Sequence, residues 1–270
     1  MVNDTPLASP SDALLVVEHL QLSFGGLRAL TDVSFRAAER QVVGIIGPNG
    51  AGKTTVLNCI SGFYRPDHGA IRFGGTPLAG RPPHLIAKLG IGRTFQLMDL
   101  IPDRTVLQNI LLGRHSHMRS GVISAAWRWG PYLAEEHEQR LVAERIMRFL
   151  GISQHRDRVA GELSYVDRRL VELGRALALE PKLLLLDEPT SGMNRKEKRT
   201  VADLIHKLKV EWGLTQIVIE HDITFIQGVC DYVFVLDFGQ VIAAGRPADV
   251  VRDPAVIEAY LGASEATDTD

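Results

Sequence analysis

Apolar and polar positions along the chain change period twice. The first stretch alternates short apolar runs with turn signals: Leu14 to Val17, Gln21 to Phe24 and Val42 to Ile46. That alternation predicts a β-rich start. Val42-Val43-Gly44-Ile45-Ile46 is apolar on both faces, as a buried central strand requires. From about Pro102 to Leu163 the pattern turns helical. Thr105 and Gln108 stand at capping-box spacing ahead of Val106, Leu107, Ile110 and Leu111, and Val142, Ile146, Phe149 and Leu150 fall on one helical stripe. The last third alternates again. A helix is predicted over 168–179, then a strand from Leu183 to Asp187. A second helix carries Val201, Leu204, Ile205, Leu208 and Trp212 on one stripe. Strands follow at Gln216 to Glu220, Tyr232 to Leu236 and Gln240 to Ala244. Strand–helix–strand alternation predicts an α/β fold with a largely parallel sheet covered on both faces and a helical insert in its middle third.

Composition narrows the class. At 270 residues the chain is roughly 1.8 typical domains long, which fits one large domain or a core with an attached subdomain. Hydrophobic residues at 45% and charged residues at 23% exclude a disordered chain. Thirty Lys and Arg against thirty-two Asp and Glu leave a net charge of −2, without the basic excess of a nucleic-acid binder. Cys59 and Cys230 are too few for a disulfide framework and fit a reducing cytosol. Met1 to Ala13 is polar with two prolines, so no signal peptide is expected. No apolar run approaches the roughly 18 residues of a membrane-spanning helix. Residues 1–12 and the acidic 263–270 read as solvated tails.

The chemistry starts at Gly47-Pro48-Asn49-Gly50-Ala51-Gly52-Lys53-Thr54, which matches G-x-x-x-x-G-K-[ST] at every position. It follows the buried strand, and Thr55-Val56-Leu57-Asn58 can open a helix. Glycines let successive N–H groups turn inward as an anion nest, and a helix N-terminus adds its dipole. Lys53 would meet the β- and γ-phosphates of a nucleotide, and Thr54 would offer its hydroxyl to Mg²⁺. A glycine-rich turn would match this pattern by chance in about one chain in a hundred of this length. The second cluster, Asp187-Glu188-Pro189, closes the run Leu183 to Leu186, at the sheet edge where ligands bind in open α/β folds. Asp187 would hold Mg²⁺ directly or through water. Glu188 would polarise the water that attacks the γ-phosphate.

With these two motifs the chain resembles an ATP-binding-cassette (ABC) ATPase over roughly residues 14–262. Four further pieces carry the likeness: Phe24 in Leu22-Ser23-Phe24-Gly25-Gly26, Gln96 in Arg93-Thr94-Phe95-Gln96, Asn194 in Ser191-Gly192-Met193-Asn194, and His221 in Ile219-Glu220-His221-Asp222. The resemblance implies that Phe24 stacks on adenine, that Gln96 contacts the metal and the attacking water, that Asn194 lies in the loop facing the partner, and that His221 senses the γ-phosphate. It implies a P-loop NTPase core (13–96 and 164–262) with a mixed, mostly parallel sheet, an N-terminal antiparallel β portion and a helical subdomain (97–163), all one cassette domain over 13–262. ATP and Mg²⁺ are the implied cofactors. The implied assembly is a head-to-tail dimer of cassettes, docked on transmembrane permease subunits at the cytoplasmic face of the inner membrane and served indirectly by a solute-binding protein.

More narrowly, Asp187 to Asn194, Ile219 to Asp222 and Val256-Ile257-Glu258-Ala259-Tyr260-Leu261-Gly262 resemble ATPase subunits of branched-chain amino acid importers and their amide-transporting relatives. The long insert His115 to His137 fits that group. Its Trp127, Trp129 and Tyr132 would dock a permease or cover the chain's own core, and the sequence does not separate the two. A translation or repair ATPase would carry two cassettes or a long coiled-coil insert. A P-loop kinase gives no reason for His221. A degenerate or regulatory nucleotide-binding subunit is the remaining alternative, because of one departure.

The ABC signature normally reads Leu-Ser-Gly-Gly-Gln; here it is Leu163-Ser164-Tyr165-Val166-Asp167. Ser164 and Asp167 keep N-cap spacing, and capping alone would account for Ser164. Val166 replaces the glycine whose missing Cβ lets backbone approach the partner's phosphate, and a β-branched residue resists positive φ. The site receiving this signature should be weakened, which favours a heterodimer with one strong and one weak ATP site. Val166→Gly in the assembled complex should therefore raise ATP affinity and turnover; unchanged values would count against it.

Overall fold

The computed structural model describes residues 13–94, 100–114 and 130–267. Their Cα packing separates two compact units, one made of the chain up to Ile86 and from Lys182 on, the other of Ala87–Pro181. In chain order the first unit opens with β1 (Ala13–Phe24), β2 (Leu27–Ala38), β3 (Val42–Ile46), α1 (Lys53–Ile60), β4 (His68–Phe73), β5 (Thr76–Pro77) and the start of α2 (Pro83–Lys88). The second unit contains β6 (Ile91–Arg93), α3 (Val106–Arg114), α4 (Gly130–Phe149) and α5 (Tyr165–Leu177). The first unit resumes with β7 (Leu183–Asp187), α6 (Arg195–Trp212), β8 (Thr215–Ile219), α7 (Ile223–Val229), β9 (Tyr232–Asp237), β10 (Gln240–Gly245), α8 (Pro247–Val250) and α9 (Pro254–Thr267).

The first unit is built on one sheet ordered β5-β4-β1-β2-β10-β9-β3-β8-β7. Strands β9, β3, β8 and β7 pair in parallel, and every residue of β3, β7 and β8 is buried. Such two-sided burial is why these segments read as unbroken apolar runs. The β1, β2, β4 and β5 portion is antiparallel. The two expected runs Leu14–Val17 and Gln21–Phe24 form a single strand, because a bulge at His19, with φ +48°, carries β1 across the interruption. β10 also departs from the strand–helix pattern. It returns antiparallel to β9 after a two-residue turn and meets β2 in parallel through Gln240 and Asp32. The stripe on α6 is buried as expected at Val201, Leu204, Ile205 and Leu208.

In the second unit, Thr105 and Gln108 make the capping box reciprocally: the Thr105 amide donates to Gln108 Oε1 at 3.0 Å and the Gln108 amide to Thr105 Oγ1 at 3.2 Å. Helices α3 and α5 approach closely at Gly113, where a Cβ would stand 2.3 Å from the Arg175 carbonyl oxygen. α5 spans 165–177 and not 168–179, because Ser164 caps it: Ser164 Oγ accepts from the Asp167 amide at 3.1 Å. At the other end of the chain, α9 runs to Thr267, so residues 263–267 extend a helix where a loose tail was expected. Ala263, Glu265 and Ala266 are good helix formers. Gln96 and insert residues 115–129, with Trp127 and Trp129, lie outside the described residues.

The β9–β10 turn carries strain. Phe238 has φ +41° and Gly239 φ +73°, the primed hairpin geometry that asparagine and glycine adopt readily. Phe238 is 84% exposed and so gains little burial in return. A left-handed backbone costs such a residue roughly 1–2 kcal/mol. Phe238→Asn should raise the unfolding free energy by about 1 kcal/mol, read as a higher urea midpoint at constant slope. A lower midpoint would refute the strain.

Candidate functional site

The parallel register delivers the chemistry to one edge. Ile45 pairs with Ile219, and Ile219 pairs with Asp187, so the ends of β3, β8 and β7 stand in one row. Each strand then breaks into a loop: Gly47–Gly52, Glu188–Asn194 and Glu220–Asp222. The phosphate-loop glycines serve different needs. A Cβ on Gly47 would fall 2.0 Å from the Leu236 carbonyl oxygen, and one on Gly52 2.8 Å from that of Ala29. Gly50 has open space but φ +81°. Gly52 caps α1 without a side-chain hydrogen bond, and the first turn of α1 holds no acid. The helix start therefore presents unneutralised donors, which suits an anion.

Lys53 is 8% exposed and folds back on its own loop, with Nζ donating to the carbonyls of Gly47 (2.8 Å) and Pro48 (2.7 Å). Burial lowers its pKa below the usual lysine value, while the charges of Glu188 and Asp187 oppose that shift. Thr54 Oγ1 lies 3.5 Å from Asp187 Oδ1, and Asp187 is buried. One hydroxyl and one carboxylate are a hard oxygen pair that fits Mg²⁺, which takes its other ligands from water and phosphate. Among the described residues no group of three or more His, Cys, Asp or Glu gathers as a metal cage. Glu188 has φ +48°, and its amide donates to the Ile219 carbonyl at 3.0 Å. His221 is 58% exposed on its side chain, with Nδ1 3.9 Å from Glu220 Oε2.

A cleft of about 520 Å³ opens here, lined by Asn49, Gly50, Lys53, Thr54 and Thr55 on the polar side. Glu188 faces it as well, and Leu27, Arg28 and Phe238 form its other wall. Leu27 and Phe238 were not singled out from the sequence, because β2 and β10 become neighbours only through the sheet order. The turn signal Asp237-Phe238-Gly239 between two apolar runs was the available hint. Phe24 does not line this cleft. It ends β1 with its ring edge-on to Tyr64, centroids 5.1 Å apart, and is 43% exposed.

Asn194 caps α6, accepting from the amides of Lys196 (2.9 Å) and Glu197 (3.1 Å), so its side chain is committed to the helix. In the second unit, Ser164 Oγ also donates to Asp167 Oδ2 at 2.7 Å. Val166 sits in the first turn of α5 and is not among the non-glycine residues with positive φ. The conformational objection to valine thus falls, because the segment is helical, while the bulk of its Cβ remains.

Residues 30–191 match the family model described as ABC transporter, and residues 240–266 match that of the branched-chain amino acid ATP-binding cassette transporter. The chain is 38% identical over 252 residues to the high-affinity branched-chain amino acid transport ATP-binding protein LivG of Salmonella typhimurium, covering 93% of this chain and 99% of that protein. It is equally similar to BraF of Pseudomonas aeruginosa, at 38% over 252 residues and the same coverage. Among solved structures it resembles the ADP conformation of an ATP-binding cassette of an ABC transporter, with TM-score 0.82, 36% identity and coverage of 93% and 99%. A nucleotide-free cassette superposes with TM-score 0.79 at 34% identity, covering 92% of this chain and 98% of that one.

Lys53 holds a buried charge against two carbonyls, which is costly unless an anion arrives. Lys53→Met should leave the nucleotide-free melting temperature equal or higher, and weaken ATP binding about 10- to 100-fold. Calorimetric titration beside thermal melting measures both; unchanged affinity would remove Lys53 from the site.

Proposed function

Because this chain belongs to the ABC transporter family of ATP-hydrolysing subunits, we propose that it drives uptake of branched-chain amino acids or related amino acid and amide compounds through a partner permease. The match of residues 240–266 to the branched-chain amino acid cassette model supports the substrate class most directly.

The side chains divide the work. The nest at 47–52, the α1 start and Lys53 hold the phosphates. Thr54 and Asp187 would hold Mg²⁺, which neutralises charge developing on the phosphates. Glu188, across the cleft from Lys53, orients and deprotonates the attacking water. His221 contacts the γ-phosphate from the end of β8. Gln96 would complete the metal and water contacts. Phe24 would stack on the base from the end of β1. The loop that ends at Asn194, together with Ser164 and Val166, would face the nucleotide of a second cassette, and Val166 keeps a heterodimer the favoured assembly. The subunit then sits peripherally on the cytoplasmic face of the inner membrane. No described helix is long and apolar enough to cross it.

Nucleotide binding that closes the dimer, and hydrolysis that reopens it, would gate the permease by differential affinity for two states. A complete phosphate loop with Glu188 argues that this subunit's own site hydrolyses ATP, which separates it from a degenerate regulatory partner. Glu188→Gln should keep ATP affinity within about threefold while lowering turnover at least 100-fold, and cells carrying it should lose uptake of labelled leucine. Robust turnover would remove Glu188 from the chemistry. Normal leucine uptake with abolished turnover would point to another cargo.

A further inference from the structure

Glu220 takes no part in the chemistry so far described, yet it is fully buried between β8 and His221. Its Oε1 accepts two hydrogen bonds from one residue, the Thr190 amide at 2.8 Å and Thr190 Oγ1 at 2.6 Å. Its Oε2 is buried with no hydrogen-bond partner among the described residues; His221 Nδ1 stands 3.9 Å away, beyond hydrogen-bond range.

Burying a carboxylate with one oxygen unpaired is costly, and such groups mark places where structure serves function. What this one holds is the loop two residues after Glu188. The Glu188 backbone is left-handed at φ +48°, a strained state that survives only when its surroundings over-determine it. Two anchors do so, both from the end of β8: the Ile219 carbonyl accepts from the Glu188 amide, and Glu220 accepts from Thr190. The anchor points are consecutive in sequence and lead directly into His221.

We infer that Glu220 is a positioning residue that fixes the Glu188 loop to the His221 loop, so that water-activating carboxylate and γ-phosphate sensor stand in one geometry. It acts through Thr190 and touches no substrate. The inference rests on the reading that Glu188 and His221 act at the γ-phosphate.

Steady-state hydrolysis by the full chain, with nucleotide binding measured in parallel, tests it. Glu220→Ala should lower kcat at least tenfold with the KM for ATP within threefold of the parent. Glu220→Gln keeps an oxygen acceptor for Thr190 and should return kcat to within threefold. Thr190→Val, which loses the hydroxyl donor but keeps the amide, should lower kcat three- to tenfold at constant KM, and carries the test if Glu220→Ala does not fold. Parental kcat in Glu220→Ala or Thr190→Val overturns the inference. So does a kcat loss that Gln fails to rescue, or one that only tracks lost nucleotide binding and melting temperature. Glu188→Gln, run alongside, keeps the two readings apart: if it stays active the underlying assignment fails, and if it is dead while Glu220→Ala is normal only the present inference fails.

Discussion

Everything at the site depends on the register of three buried parallel strands. Ile45, Ile219 and Asp187 occupy one row across β3, β8 and β7, and the residues that follow in each strand form the phosphate loop, the sensor loop and the acidic loop. A slip of one residue in either ladder would turn each side chain to the opposite face. With both faces buried, that slip would force each face to repack and would take Asp187 out of its row with Ile219. The packing of an apolar core thereby sets the spacing of charged groups several ångströms apart.

Around that edge the backbone is held in conformations that most residues resist. Glu188 and Phe238 have positive φ, and Gly47 and Gly52 lie where a side chain would strike a carbonyl. Each strained residue costs of order 1–3 kcal/mol, against a total stability that for a domain is only about 5–15 kcal/mol. The β strands supply the opposing stability, with nearly every large residue of β3, β7, β8 and β9 buried. Cys59 and Cys230 belong to that core. Burial raises the Cys59 thiol to about 12 and pushes Cys230 up as well, so neither is a reactive thiolate.

Local chemistry was legible in the sequence where it is local. The phosphate loop, the acidic pair, both capping segments at Thr105 and Ser164, and the α6 stripe all follow from spacings of a few residues. What escaped depends on neighbours far along the chain. Glu220 and Thr190 are 30 residues apart, and nothing in either segment announces the pair. Leu27 reaches the cleft beside Phe238 only because β10 returns against β9 and docks on β2. Phe24 meets Tyr64 because β4 pairs beside β1, with Gln21 opposite His68. The direction of β10 was hidden by its period, which is the same for parallel and antiparallel strands, and the bulge at His19 made one strand look like two.

The junction between the antiparallel and parallel parts of the sheet is narrow. Strands β2 and β10 share one paired position, Asp32 with Gln240, reinforced where the Thr31 and Asp32 amides both donate to the Gly239 carbonyl. The same glycine donates its amide to Ala51 in the phosphate loop. Two broad ladders thus meet at a seam a few hydrogen bonds wide, and that seam is stitched to the loop that takes up anions. Ordering the loop would also stiffen the seam, so ligand occupancy would reach amide protection along β10, none of whose residues lines the cleft.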